Sequence, residues 1–297
     1  SSPATLVHAA DLAARLGEPE AALVGSTLTA PRLLAAAQAL AGPIRLHFDA
    51  RGALTNLRVV SQPAGGCAAE PDGVELHVRS VGLNFRDVLN VLGAYPGDPG
   101  PPGGDCAAVV SSVGDGGAYT DLAVGARVLG QATAALASIA RADARLVAPT
   151  GGVLSDDAAC TLPTTWSTVH MALLASRPRS TDRLLLHAGA GGVGLAAGEY
   201  AQWLRSRPST TVGQPQKHRF LHHAGFCGRT LSSRDGGAFA LGASAQLRGS
   251  RLRGVLNSLS ADFIACSFAL LGEDACLCEI GKREVWSYER HEAAAHS

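Results

Sequence analysis

The chain has 297 residues, a formal net charge of zero, and 46% apolar against 17% charged side chains. That balance suits one large or two medium globular domains with sizeable cores, and it gives no electrostatic reason to expect nucleic-acid or membrane partners. No apolar run approaches the roughly 20 residues of a membrane span, residues 1–13 lack the charged and apolar regions of a secretory signal, and seven cysteines without regular spacing fit free thiols in a reducing compartment, the cytoplasm or, with a transit peptide upstream, a plastid.

Residues 1–43 read as an Ala-rich, linker-like helical segment ending at Ala41-Gly-Pro43. Residues 44–154 then show short alternating segments at 44–48, 54–60, 74–80, 107–113 and 127–129, punctuated by Gly, Pro and Asp, which is the pattern of a β-rich lobe. The stretch 94–104 between them is too rich in Pro and Gly to be regular structure. From 155 to 297 the pattern changes to strands alternating with helices: two helical stretches broken near Pro163, a strand at 184–186, a helix at 195–204, a strand at 254–256, a helix at 261–271 and a strand at 275–280. Such alternation implies a parallel sheet covered on both faces. The expected fold class is therefore α/β, a β-rich lobe followed by a doubly wound nucleotide lobe.

The strand at 184–186 runs directly into Gly189-x-Gly191-x-x-Gly194, with Gly192 and Val193 between the last two glycines, and a helix of small residues follows. Strand, glycine turn and helix in that order form the dinucleotide fingerprint: the glycines permit a tight turn and close approach of backbone to pyrophosphate, and the helix N-terminus faces the phosphates. An NAD site places a carboxylate about 20 residues further on. Here no Asp or Glu occurs between Glu199 and Asp235, while Arg205, Arg207, Lys217, Arg219, Arg229 and Arg234 do. Basic groups without a carboxylate favour a 2′-phosphate, so NADPH is expected over NADH, with Lys217, just past the turn Gly213-Gln-Pro-Gln216, as the best single contact and Arg234 as another. The alternative is that these are ordinary solvated cations.

Four segments in order carry a family resemblance: Ser80-Val-Gly-Leu-Asn-Phe-Arg-Asp-Val-Leu-Asn-Val-Leu-Gly-Ala-Tyr-Pro-Gly97, His187-Ala-Gly-Ala-Gly-Gly-Val-Gly194, Val255-Leu-Asn-Ser-Leu259 and Glu279-Ile-Gly-Lys282. From about residue 30 onward the chain resembles the enoyl reductase domains of modular polyketide synthases, within the medium-chain dehydrogenase and quinone oxidoreductase superfamily. The resemblance implies a GroES-like β lobe and a Rossmann lobe. It also implies NADPH-dependent reduction of an α,β-unsaturated thioester on an acyl carrier protein, with neighbouring synthase domains as partners. Lys282 matches the family's active-site lysine, able to stabilise an enolate or donate a proton, and Tyr95 matches the tyrosine associated with protonation of the α-carbon. Asn84 and Thr168 match positions lining the nicotinamide pocket, and Asn257 one near the nicotinamide ribose. No metal is expected. Where zinc relatives carry Gly-His-Glu this chain has Gly103-Gly104-Asp105-Cys106, and Cys276-x-Cys278 lacks a second pair at ligand spacing.

The chain departs from the family pattern in three places. Pro208 and its polar neighbours fall where the second strand of the nucleotide lobe should run, so distortion of the adenosine side is expected. Gln214 replaces the small serine of the phosphate turn. The downstream Asp that partners the lysine, and the segment returning to the β lobe, are both absent. That absence and the missing initiator Met suggest a truncated piece of something longer, with marginal stability. Two other readings therefore stand beside the reductase: a zinc-independent NADPH:quinone oxidoreductase, and a catalytically silent structural domain of a synthase.

Overall fold

The structure is a computed structural model that describes residues 22–24, 27–29, 42–62, 71–116, 122–226, 228–282 and 286–295. It divides into two compact units, Ser1–Ala41 and Gly42–Ser297. In the first, β1 (Ala22–Val24) pairs antiparallel with β2 (Thr27–Thr29). At these two segments this corrects the expectation of helix, the rest of which, up to 41, lies outside the described residues: Val24, Thr27 and Thr29 are β-branched and favour a paired strand.

The second unit begins with a hairpin of β3 (Ile44–Phe48) and β4 (Leu57–Ser61). The expected strand at 54–60 starts late, because Leu54–Asn56 form a single 3-10 turn. A five-stranded antiparallel sheet follows, in the order β8-β5-β6-β7-β9, from β5 (Gly73–Gly82), β6 (Asp105–Val113), β7 (Arg127–Gln131), β8 (Ile139–Asp143) and β9 (Val147–Pro149). Its core comes from residues two apart on the pleat, Val74 and Leu76 on β5 and Cys106, Ala108 and Val110 on β6. Helix α1 (Phe85–Val91) leaves β5 and leads into the 94–104 loop.

Helices α2 (Asp156–Ala159) and α3 (Pro163–Ser176) lead to the second sheet, with Pro163 at the first turn of α3, where its missing N–H costs nothing. Strands β10 (Arg183–Leu186), β11 (Arg207–Val212), β12 (Arg229–Ser232), β13 (Leu252–Asn257) and β14 (Leu271–Glu279) are all parallel, in the order β12-β11-β10-β13-β14. Between them run α4 (Gly192–Trp203), α5 (Pro215–His223), α6 (Gly236–Leu247) and α7 (Asp262–Phe268). Both faces of the sheet are covered, as three consecutive leucines show. Leu184 and Leu186 pack with residues of α3 and α4, while Leu185 points to the opposite core with Phe239 and Ala243 of α6. After β14, α8 (Tyr288–Ala295) follows Trp286, which stacks on Phe268 at 5.6 Å.

The distortion expected at Pro208 does not occur. Pro208 pairs with Leu184 near the start of β11, before the ladder to β12 begins at Ser209, and there a missing donor is tolerated. Further along, buried threonines take the place of apolar residues and satisfy their hydroxyls locally. Thr210 donates to Leu186 O at 2.6 Å. Thr211 Oγ1 accepts the Ala188 N–H at 3.0 Å and also shares a hydrogen bond with His187 Nδ1 at 3.1 Å, while His187 Nε2 shares one with the Ser267 hydroxyl of α7 at 2.9 Å. His187 is thus a neutral bolt through β10, β11 and α7, boxed by Phe239 and Phe263.

Burial pushes the His187 imidazole from its ordinary 6.5 down to about 3. The unfolded chain therefore binds one more proton than the folded chain in that window, and stability falls as the pH drops below 6.5. Urea unfolding between pH 6.5 and 4.5 is expected to show a slope about 1.4 kcal/mol per pH unit steeper than for His187→Gln. Equal slopes would show that His187 is not held neutral.

Candidate active site

Because the five strands are parallel, their C-terminal ends lie along one edge of the sheet, where open α/β sheets bind ligands. Gly189–Gly194 leave β10, Gly213 leaves β11, Arg234 lies just past β12, Asn257 ends β13, and Lys282 stands three residues beyond β14. The fold brings these predicted positions to a common edge from five separate strands.

The fingerprint turn is built by close approach. A Cβ on Gly189 would come within 2.7 Å of Thr210 Cβ and nearer still to its hydroxyl, and one on Gly194 would meet Ala188 O at 2.5 Å. The turn is closed by the Gly189 N–H to Thr211 O at 3.0 Å and the Gly191 N–H to Ala188 O at 2.9 Å. Helix α4 starts at Gly192, earlier than the expected 195, so Gly192, Val193 and Gly194 form its first turn. Their N–H groups have no partner within the helix and are available to a phosphate. Gly191 and Gly192 are exposed, which keeps that approach open.

At the β11 end, the two basic candidates differ. Arg234 lies against the turn, its Nε 2.6 Å from where a Gly213 Cβ would stand. Lys217 is an exposed residue in the first turn of α5. At the β13 end, Asn257 is buried and its amide donates to Leu259 O at 2.7 Å and to Glu279 Oε2 at 2.6 Å. The other Glu279 oxygen accepts the Gly281 N–H at 2.6 Å, and the Ile280 N–H reaches Asn257 O at 2.9 Å. Asn257 therefore shapes the segment that carries the exposed Lys282, with Glu279 as a partner that motif reading did not single out.

A cleft of about 460 Å³ lies beside the first turn of α3, lined by Asn84, Arg86, Gly104, Gln131, Thr133 and Thr164 among others. Asn84 precedes α1 and is fixed by its N–H to Asp87 Oδ2 at 2.9 Å and by its side-chain amide to Asp105 Oδ2 at 3.0 Å. Thr164 connects this cleft to the fingerprint, since its neighbour Thr165 would lie 3.3 Å from a Gly192 Cβ. Thr168 is one turn further along α3 and half-buried. Tyr95 is also half-buried, in the loop after α1 and outside that lining. The loop itself is pinned by Asn90 Nδ2 to Gly100 O at 2.9 Å, by the Gly103 N–H to Asp87 Oδ1 at 2.9 Å, and by Arg86 to Pro99 O. Asn90 in turn accepts from Arg51 Nε at 2.9 Å.

The thiols of Cys276 and Cys278 share one face, 3.5 Å apart, and Cys278 is pushed up to about 12 by burial and by its neighbour. Burial likewise pushes Cys106 up to about 12, so these groups stay protonated and poorly nucleophilic. Among the described residues there is no cluster of three His, Cys, Asp or Glu side chains able to hold a metal, and no helix long and apolar enough to cross a membrane.

Gly189→Ala is expected to destabilise the protein by about 1–3 kcal/mol, the usual cost of overpacking a filled site. Denaturant unfolding measures this, and unchanged stability would mean that the turn is looser than its geometry.

Comparison with known proteins agrees with this arrangement. Residues 70–160 match the alcohol dehydrogenase GroES-like domain. The chain is 35% identical over 98% of its length to pikromycin polyketide synthase component PikAII of Streptomyces venezuelae, and 35% identical over 90% to erythronolide synthase EryA2 of Saccharopolyspora erythraea. It spans only 8% of the length of each of these synthases. Among solved structures it resembles the CurK enoyl reductase with a TM-score of 0.76 and 30% identity, covering 85% of this chain and 78% of that one. A mycobacterial protein complexed with NADPH is similar at a TM-score of 0.75 and 27% identity, covering 85% of this chain and 79% of that one. The chain belongs to the enoyl reductase domains of modular polyketide synthases, in the medium-chain dehydrogenase superfamily with its GroES-like and Rossmann-like lobes.

Proposed function

We propose that this chain reduces the α,β double bond of an enoyl thioester carried on an acyl carrier protein, using NADPH, during polyketide or fatty acid synthesis. The observation that carries the reading is the continuity of two features. The glycine turn with its open first-turn N–H groups is joined through Thr164 and Thr165 to a polar cleft against the β lobe. A cofactor bound on the turn would thereby present its reactive end toward the cleft. In this reading residues 44–154 form the substrate-side lobe and 155–297 the nucleotide lobe.

The residues fit such a cofactor. Gly189, Gly191 and Gly194 allow close backbone approach, and the first-turn N–H groups of Gly192, Val193 and Gly194 are free for a pyrophosphate. Arg234 lies on the turn after β11, where a 2′-phosphate would be recognised, with Lys217 as a second cation on α5. NADPH, when bound, supplies the hydride. The chain's own part is to hold the alkene against the cofactor, exclude water, and meet the negative charge that develops on the thioester oxygen. Lys282 is the cation assigned to that charge, and it stands on a segment tied down by Asn257 and Glu279. Tyr95 is assigned to proton delivery at the α-carbon, from a loop pinned at several points. Asn84 and Thr168 are assigned to the nicotinamide pocket.

The test is NADPH oxidation in the presence of a crotonyl-pantetheine thioester, with parallel reactions containing a quinone or NADH. Thioester-dependent oxidation is expected, falling at least a hundredfold in Lys282→Ala. The preference for NADPH over NADH is expected to narrow more in Arg234→Ala than in Lys217→Ala. Oxidation with the quinone alone would favour a quinone oxidoreductase. Binding of NADPH without turnover of either substrate would indicate a domain that has lost its chemistry.

A further inference from the structure

We infer that Asp105 is a positioning residue that sets the direction of a hydrogen-bond chain, and that Gln131 at the end of that chain is a binding residue reading an amide N–H of the bound ligand. The inference rests on the reductase reading of the cleft. Asp105 is 1% exposed and begins β6. Its Oδ2 accepts the Asn84 side-chain amide at 3.0 Å and the Thr164 backbone N–H at 2.9 Å, while its Oδ1 accepts the Thr164 hydroxyl at 2.6 Å. A carboxylate has no proton to give. Thr164 must therefore donate toward Asp105, and its oxygen is left to accept from Gln131 Nε2 at 3.0 Å. That orients the Gln131 carboxamide: the nitrogen turns to Thr164, and the oxygen is directed away from it. Gln131 lines the same cleft as Asn84 and Thr164.

The group that an amide oxygen recognises is an N–H donor. Two parts of the proposed ligands carry one, the nicotinamide carboxamide and the amides of the pantetheine arm. Both present the same chemistry to Gln131, and the two are separable by experiment.

Replacing Asp105 by Asn makes a specific change beyond lost packing. With its oxygen kept on the Asn84 amide and the Thr164 N–H, the new side-chain NH2 must donate to Thr164 Oγ1. The Thr164 proton then turns to residue 131, the Gln131 carboxamide rotates to accept it, and its NH2 replaces its oxygen toward the cleft. Glu at 131 in the same background accepts from Thr164 and leaves its other oxygen in place of the original acceptor. As single changes, Asp105→Asn and Gln131→Glu should each harm ligand recognition, whereas the double variant should recover it.

The experiment is a double-mutant cycle on the full chain, reading three quantities. These are the NADPH dissociation constant by fluorescence, the KM for a crotonyl-pantetheine thioester, and the KM for a crotonyl ethyl thioester that lacks the amides. About a tenfold loss is expected in each single variant, with most of it recovered in the double. A loss in the NADPH constant assigns the partner as the nicotinamide carboxamide. A loss confined to the pantetheine thioester assigns it as the carrier arm. Additive losses, or ligand constants unchanged in Asp105→Asn, would overturn the proposal. The Gln131 side-chain amide signal in 1H–15N spectra reads the orientation without any ligand. It is expected to move in Asp105→Asn, and an unmoved signal also overturns the proposal. A wild-type chain that neither binds NADPH nor turns over thioester contradicts the reductase reading, while the spectra still decide the role of Asp105.

Discussion

A single buried carboxylate joins the two chemical halves of this molecule. Asp105 begins a strand of the antiparallel sheet, yet its oxygens are used on the first turn of α3, the helix that enters the nucleotide lobe, and on Asn84 before α1. The backbone contact is an N-cap delivered from 59 residues away, and a carboxylate at a helix N-terminus also meets the favourable end of the helix dipole. Burying such a group is costly unless its lone pairs are filled, and here three donors fill them. The cleft beside the first turn of α3 depends on that tether. So does the link from cleft to glycine turn, because Thr164 and Thr165 are consecutive residues of the tethered turn.

The parallel sheet provides the other constraint. Five strands running the same way bring residues far apart in sequence to one edge. Strand β10 must lie close to β11 for the turn to form, which is why Gly189 faces Thr210 with no room for a side chain. Several buried polar residues of this lobe are matched to one another: Thr210 to a carbonyl, Thr211 and Ser267 to His187, Asn257 to Glu279. Each match ties two elements together, so the polar interior gives register where aliphatic packing alone would allow sliding.

Much of this was legible in the residues themselves. The glycine spacing after 184–186 located the tight turn between β10 and α4 because close backbone approach there leaves no room for a side chain at Gly189 and Gly194. The change from two-residue to helical periodicity near 155 separated the sheets for the same kind of reason, since period reports geometry directly. Pro208 misled because a proline's cost depends on which neighbour its N–H would have faced, and local sequence does not contain that information. The hairpin at 22–29 was hidden by surrounding alanines. Among site residues, Lys217 was the cation the sequence favoured, whereas the structure sets Arg234 against Gly213. Asp105 had been read solely for what it is not, a metal-site histidine or glutamate. Its partners Thr164 and Asn84 lie 59 and 21 positions away, and Gln131 lies 33 from the Thr164 it bonds, too far for spacing to reveal.

In the proposed reaction the glycine turn and the cleft act together to pass hydride from a nicotinamide to an enoyl thioester. The most direct measurement uses NADPH deuterated at C4 of the nicotinamide, with a crotonyl-pantetheine thioester in ordinary water, and locates the label in the butyryl product by NMR. Deuterium on the β-carbon, with an unlabelled proton from water on the α-carbon, is the result this account predicts. Saturated product without deuterium at the β-carbon, or cofactor oxidation without saturated product, would contradict it.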